Sequence, residues 1–220
     1  IDLMVEERLK GKPLAYLIGK KGFWKNNFIV TPDVLVPRPE TETLVDAILN
    51  ENLQGKTLLE LGTGSGVISI SIAQENKDCF IFATDISIRS ILVAKQNASK
   101  FCCENIIFLN HDWNNEWLFP RVDYLISNPP YVDKEATTGE EEGIWHEPEK
   151  ALFSKDKGLS DLKLILSKGK NFLNENGKVY LEHAPNQYEE LNKFAVENGY
   201  LNFSNLNDLN GDKRVSIYQC

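Results

Sequence analysis

The sequence predicts an α/β fold, a parallel-rich sheet with helices on both faces. From Thr57 onward, short β-branched apolar runs alternate with longer stretches of helical spacing, the pattern of successive βα units. The first of those runs ends in a glycine-rich turn, Gly62-Thr63-Gly64-Ser65-Gly66, that leads into a helix. The chain of 220 residues, 42% of them hydrophobic, is long enough to bury the core such a sheet needs. No internal repeat or low-complexity segment interrupts it.

The elements follow in order. Residues 57–61 read as a buried strand and residues 67–74 as a helix packed on the sheet. A second strand, 79–84, ends at Asp85. Residues 87–100 have helical spacing (Ile88, Ile91, Leu92, Ala98), with Ser87 as N-cap. Strands are expected at 106–109 and 122–127. Residues 159–173 form an amphipathic helix, 174–177 stop it, and 178–182 are the next strand. Residues 187–198 supply another helix, ended by Gly199, and 200–203 with 215–219 close the chain as a hairpin-like edge. Ahead of the alternating part, residues 23–36 hold two β-type runs and 41–49 resemble a short helix. Pro37 and Pro39 restrict the backbone and remove donors, so 37–42 are expected to be irregular. Residues 1–20 read as a helix tail and linker, and the opening Ile1 suggests a piece of a longer protein.

With 24 basic against 32 acidic side chains the net charge is −8, which argues against a protein whose main business is gripping duplex DNA. No apolar run is long enough to cross a bilayer, and the acidic and basic residues near the start exclude a signal peptide there. Cys79, Cys102, Cys103 and Cys220 lack metal-like or disulfide spacing and read as free thiols, so no metal is expected.

Two constellations carry chemistry. In the turn 62–66 the glycines let backbone approach a ligand, and the helix that follows offers unpaired N–H groups. Asp85, nineteen residues beyond Gly66 at the end of the next strand, can accept from both hydroxyls of a ribose. Together they indicate an adenosine-containing cofactor without saying which. The second is Asn128-Pro129-Pro130-Tyr131, directly after the strand 122–127, where an open α/β sheet places its ligand crevice. Consecutive prolines hold this backbone rigid. The Asn128 carboxamide oxygen and a neighbouring main-chain carbonyl then form paired acceptors for an NH₂ group, and Tyr131 offers a flat wall against a planar amide or base.

These residues together resemble a class I S-adenosylmethionine-dependent methyltransferase and, more specifically, the HemK/PrmC family, which methylates the glutamine side-chain amide in the Gly-Gly-Gln motif of peptide chain release factors. The similarity runs over nearly the whole chain: Lys12-Pro13-Leu14-Ala15-Tyr16-Leu17-Ile18-Gly19, Val36-Pro37-Arg38-Pro39-Glu40-Thr41-Glu42, His111-Asp112-Trp113, Glu147-Pro148 with Ala151-Leu152, and Asp208-Leu209-Asn210-Gly211 before Arg214-Val215. The resemblance implies a Rossmann-like fold with a mostly parallel seven-stranded sheet, an antiparallel C-terminal edge strand and a short β-hairpin in front. It implies a division into 1–20, the remnant of a helical domain; 21–51, hairpin and lead-in helix; and 52–220, the methyltransferase domain. It also implies S-adenosylmethionine as cofactor, with S-adenosylhomocysteine as product, and cofactor contacts from residues 62–66, Asp85, Asp112, Trp113 and Asn128. Arg38, Glu40 and Glu147 are candidates for substrate contact or support beside residues 128–131. The chain departs from the family pattern at Lys157, where an acid is usual, and at His183-Ala184, where a glycine usually follows the strand.

In the mechanism expected, Asn128 and the Pro129 carbonyl accept both N–H bonds of the substrate amide, and no histidine among His111, His146 and His183 is required. A nucleic-acid adenine methyltransferase needs the same paired acceptors and is the alternative, weakened by the acidic balance. An NAD-dependent oxidoreductase or a non-catalytic adenosine-binding module would leave residues 128–131 unexplained. The protein is expected to be a cytoplasmic monomer that meets release factors and binds neither membrane nor, stably, nucleic acid.

Overall fold

The computed structural model describes residues 2–137 and 144–220. Strands β3 (Thr57–Leu61), β4 (Phe80–Asp85), β5 (Ile106–Asn110), β6 (Val122–Ser127) and β9 (Leu173–Glu182) run parallel. They join β10 (Asn202–Asn207) and β11 (Lys213–Gln219) in a seven-stranded sheet of order β10-β11-β9-β6-β3-β4-β5. The C-terminal strand β11 is antiparallel to β9 and lies one place in from the edge, with β10 paired antiparallel outside it.

Both faces are covered, which is why the central strands are apolar throughout rather than alternating. On one face α3 (Glu42–Leu49), α4 (Val67–Glu75) and α5 (Ile88–Lys100) share a core with Leu58, Ile81, Ile126 and Tyr180. On the other, α7 (Ser160–Gly169) and α8 (Tyr188–Glu197) pack over Leu59, Leu125 and Leu181, and ahead of α7 lie α6 (Glu149–Leu152) and the two-residue strands β7 (Val132–Asp133) and β8 (Phe153–Ser154), paired in parallel. Ser87 caps α5 as expected, accepting from Ser90 N–H.

Several expectations need adjusting. The front hairpin consists of β1 (Lys20–Phe23) and β2 (Asn26–Ile29), and residues 31–36 are not a strand. Its turn is made by Trp24, at φ 51°, and Lys25, and is held by Trp24 N–H donating to Glu42 Oε1 at 2.7 Å. Residues 37–42 are less irregular than expected: Pro39–Thr41 form a 3₁₀ turn, with proline at the start where its missing N–H costs nothing, and α3 begins at Glu42. α7 stops at Gly169, and Lys170–Phe172 continue as a 3₁₀ turn. Residues 174–177 lie inside β9 as an irregularity: Val122 pairs with Leu173 and Tyr124 with Lys178, so the intervening residues bulge.

The expected helix tail is α1 (Asp2–Leu9), but the segment after it is more than a linker: α2 (Leu14–Ile18) buries Ala15 and Tyr16 in a small core with Val30, Val34, Val36 and Val93. Tyr16 donates its hydroxyl to the Val34 carbonyl at 2.6 Å. The front segment thus fixes residues 31–36, which have no strand partner of their own.

Candidate active site

The site grows from one row of the sheet. Leu61 pairs with Ser127 on one side and with Thr84 on the other, and Ser127 Oγ donates to the Leu61 carbonyl at 2.7 Å. The residues just past this row are Gly62, Asn128 and Asp85, so the three elements singled out in the sequence emerge side by side at the carboxyl ends of adjacent strands. A cavity of about 690 Å³ opens there, lined by residues 62–65, Asp85, Trp113, Asn128 and Pro130 together with residues 32–35, Pro37, Arg38 and Thr41. This falls within the roughly 300–1,000 Å³ of small-molecule sites. A second cavity of about 120 Å³, lined by Leu35, Pro129, Tyr131, Val132, Ile144 and Leu152 among others, also includes Arg38, Asn128 and Ala151. Asn128 and Arg38 therefore stand in the wall of both.

The glycine turn is shaped by need at two places. Gly66, at φ 83°, packs against α5, and an added Cβ would lie 2.8 Å from Ile70 Cδ1 and 3.2 Å from Ala94 Cβ. Gly62, at φ 76°, lies against the indole of Trp113, 3.2 Å from where a Cβ would sit. The turn is tied down from below by Glu60, whose buried Oε2 accepts from the hydroxyls of Thr63 (2.7 Å) and Ser69. Burial pushes the Glu60 carboxyl up to about 7.

Asp85 is almost fully buried and accepts from Ser87 N–H at Oδ1 (2.8 Å) and from Gly64 N–H at Oδ2 (2.9 Å). Burial raises its pKa, against those two bonds. Each oxygen retains acceptor capacity at the cavity wall, the disposition a ribose diol requires. Trp113 donates Nε1–H to Asp161 Oδ1 at 3.0 Å, which fixes its ring as a flat wall. Asp112 does not line the cavity. Its Oδ1 accepts from the backbone and side-chain nitrogens of Asn114, both at 2.8 Å, and it serves its own turn.

Asn128 donates through Nδ2 to Thr41 Oγ1 at 3.0 Å, which leaves its carboxamide oxygen as the free end. Tyr131 turns its hydroxyl inward, to Glu182 Oε1 at 2.9 Å, and offers ring surface to the small cavity. Its carbonyl accepts from Gln187 Nε2 at 2.9 Å, and the same Nε2 donates to the Lys157 carbonyl at 3.1 Å. Arg38 Nη2 donates to Glu147 Oε1 at 2.5 Å, and Glu147 Oε2 accepts from Val36 N–H at 2.8 Å. Glu147 is a buried clasp between the segments 36–38 and 144–148 rather than a cavity wall, and Glu40 lines neither cavity.

Residues 39–156 match the Methyltransferase small domain family. Across 99% of its length the chain is 38% identical to the release factor glutamine methyltransferase of Coxiella burnetii, covering 78% of that protein. It is 36% identical over its whole length to the protein of the same name from Francisella tularensis, again covering 78% of it. The chain belongs to the release factor glutamine methyltransferase family. Among solved structures, a methyltransferase from Pyrococcus furiosus superposes over the whole chain and 98% of its own, with TM-score 0.67 at 18% identity. TYW2 of M. jannaschii in complex with AdoMet superposes over 91% of this chain and 84% of its own, with TM-score 0.60 at 15% identity.

The departures from the release factor glutamine methyltransferase pattern fall away from the cavities. Lys157 is exposed and takes part through its carbonyl. His183 is fully buried, with Nε2 on Ser216 Oγ at 2.7 Å, and burial depresses its pKa to about 4. None of the three histidines lines either cavity. Thr41, Gln187 and Glu182 belong to the site although no motif in the sequence marks them, and Glu60 stands at the head of the strand–turn motif. Glu60 and Glu182 did carry a signal, an acid inside or closing an otherwise apolar strand.

Proposed function

We propose that this chain transfers a methyl group from S-adenosylmethionine to the side-chain amide nitrogen of the glutamine in the Gly-Gly-Gln motif of peptide chain release factors, leaving S-adenosylhomocysteine. The observation that carries the reading is Asn128 in the wall shared by the two cavities, with its NH₂ spent on Thr41 and its oxygen free. The larger cavity has the parts an adenosine cofactor needs: a turn with backbone close to the space, the Asp85 carboxylate and the Trp113 face. The smaller one suits a single side chain, and its walls are mostly apolar.

When bound, S-adenosylmethionine supplies an electrophilic methyl group on a positively charged sulfur. The protein's task lies on the other reactant, because an amide nitrogen shares its lone pair with the carbonyl and is a poor nucleophile. Asn128 Oδ1 and the Pro129 carbonyl accept the two N–H bonds, orient the nitrogen and raise its electron density. The Tyr131 ring holds the amide plane. Alignment of this kind is worth about 7–11 kcal/mol in well-oriented reactions. Nitrogen gains the methyl and loses one proton to solvent as the bond forms. We infer further that the enzyme works as a monomer in the cytoplasm, where release factors are. Among the described residues no helix is long and apolar enough to cross a membrane.

Incubation with methyl-labelled cofactor and either a release factor, the same factor with its Gly-Gly-Gln glutamine replaced, or an oligonucleotide tests the reading. Label is expected on the unmodified factor alone, and label on the oligonucleotide alone would overturn it.

A further inference from the structure

We propose that Glu182 is a positioning residue for this reaction: one buried carboxyl braces the ring of Tyr131 on one side and the Thr41–Asn128 pair on the other. The inference deepens the amide-methylation reading above and rests on it.

Glu182 closes β9 and has no exposed surface. A carboxyl there is costly unless it is used. One use is visible in the Tyr131 hydroxyl, which donates to Oε1 at 2.9 Å. A ring anchored at its hydroxyl cannot tilt, so the wall offered to the small cavity keeps one orientation. On the other side stands Thr41, also buried. Its oxygen accepts from Asn128 Nδ2, so its own proton must point elsewhere, and the Glu182 carboxyl is beside it. Glu182 Oε2 has no hydrogen-bond partner of its own, so its acceptor capacity is open to that proton. With Thr41 oriented this way, the Asn128 amide cannot flip without facing its NH₂ group to the substrate.

The charged neighbours favour this role over that of an ion-pair member. Arg214, from β11, spends Nε on Asp208 Oδ2 at 3.1 Å and directs Nη1 at the His183 carbonyl at 3.4 Å, so it moderates Glu182 from nearby. Glu40 opposes it with like charge, and the ring of His183 turns to Ser216. Burial, outweighing the help from Thr41, Tyr131 and Arg214, pushes the Glu182 carboxyl up to about 7. As a carboxylate it accepts from the Tyr131 hydroxyl at Oε1 and leaves Oε2 open to the Thr41 hydroxyl. Once protonated, it must present a donor to one of them and disturb that side of the brace.

The test measures kcat, KM and cofactor Kd for Glu182→Gln, Tyr131→Phe and the double variant with a release factor, together with the pH dependence of kcat. Each single change is expected to lower kcat about tenfold, the loss typical of a buried hydrogen bond. The double variant should be no slower than the worse single, cofactor Kd should be unchanged, and the acid limb of kcat near neutrality should vanish in Glu182→Gln. Unchanged kcat, additive losses, or cofactor affinity falling in step with kcat would each overturn the role. Should Glu182→Gln fail to fold, Thr41→Val combined with Tyr131→Phe takes its place, and there too additive losses would overturn the brace. If the wild-type protein labels no release factor, the substrate reading fails instead, and the same cycle is run on the molecule that takes the label.

Discussion

Thr41 Oγ1 lies 3.0 Å from Asn128 Nδ2, and this contact between the lead-in segment and the end of β6 decides which end of the Asn128 carboxamide faces the cavities. A carboxamide is nearly symmetric in shape but opposite in hydrogen-bonding sense at its two ends. An acceptor for an amino group is obtained only when the NH₂ end is occupied elsewhere.

Thr41→Val keeps the shape and removes the hydroxyl. The expected outcome is a fall in kcat of about tenfold, as for an unsatisfied buried partner, with cofactor Kd unchanged. Steady-state kinetics beside calorimetric titration of the cofactor checks it.

Gly158 adopts φ 84°, and a Cβ added there would sit 2.0 Å from the Tyr131 carbonyl oxygen and 2.6 Å from Gln187 Nε2. The contact with backbone cannot relax by a rotamer change. Gly158→Ala is therefore expected to destabilise the fold by about 3 kcal/mol or more, the range of severe backbone strain and overpacking. The readout is denaturant unfolding. A midpoint unchanged from wild type would contradict it.

Glu60 titrates at about 7 in the fold, against 4.5 for the free group. Between those values the folded protein keeps a proton that the unfolded chain has released. This group's contribution to stability is thus complete below pH 4.5 and lost as pH rises through 7. A raise of this size corresponds to about 3 kcal/mol. Unfolding free energies from pH 5 to 8 should fall less steeply for Glu60→Gln than for the wild type. Parallel curves would refute the assignment.

Asp85→Ala removes the acceptor for Gly64 and Ser87 along with the proposed ribose ligand. Bonds to a charged group are worth about 1.5–3 kcal/mol each. Cofactor Kd should weaken at least tenfold, measured by calorimetry. KM for the release factor, taken at saturating cofactor, should stay near wild type.

Glu147 holds Val36 N–H and Arg38 together from a nearly buried position. Glu147→Ala should therefore loosen the segment 31–38 more than Arg38→Ala does, because it frees both partners. Hydrogen exchange at the Val36 amide reads this directly, with faster exchange expected in the first variant only.

Much of the sheet was legible because β3, β4 and β6 are short apolar runs whose ends coincide with glycine, aspartate and asparagine. The front hairpin was misplaced for an equally local reason. Lys20, Lys21 and Gly22 are poor strand formers, and the turn uses Trp24 with positive φ in place of a glycine. What secures that hairpin is distant in sequence: Asn97 on α5 accepts from Ile29 N–H and donates to the Ile29 carbonyl, supplying the bonds a third strand would have made. The site shows the same division. Gly62, Asp85 and Asn128 were visible because they punctuate secondary structure. Thr41, Gln187 and Glu182 were not, since each reaches the residue it positions across more than fifty positions of sequence. Single long-range bonds leave no periodicity behind.

The row that joins Thr84, Leu61 and Ser127 has a consequence for how this protein can be altered. Each strand advances about 3.3 Å per residue, so one residue inserted into β3, β4 or β6 would carry its loop a full step past the other two. The loops can be exchanged, lengthened or redesigned beyond that row at modest risk. The strands beneath them behave as rulers cut to a common length, and a graft that keeps the loops but not the lengths would separate the parts that have to meet.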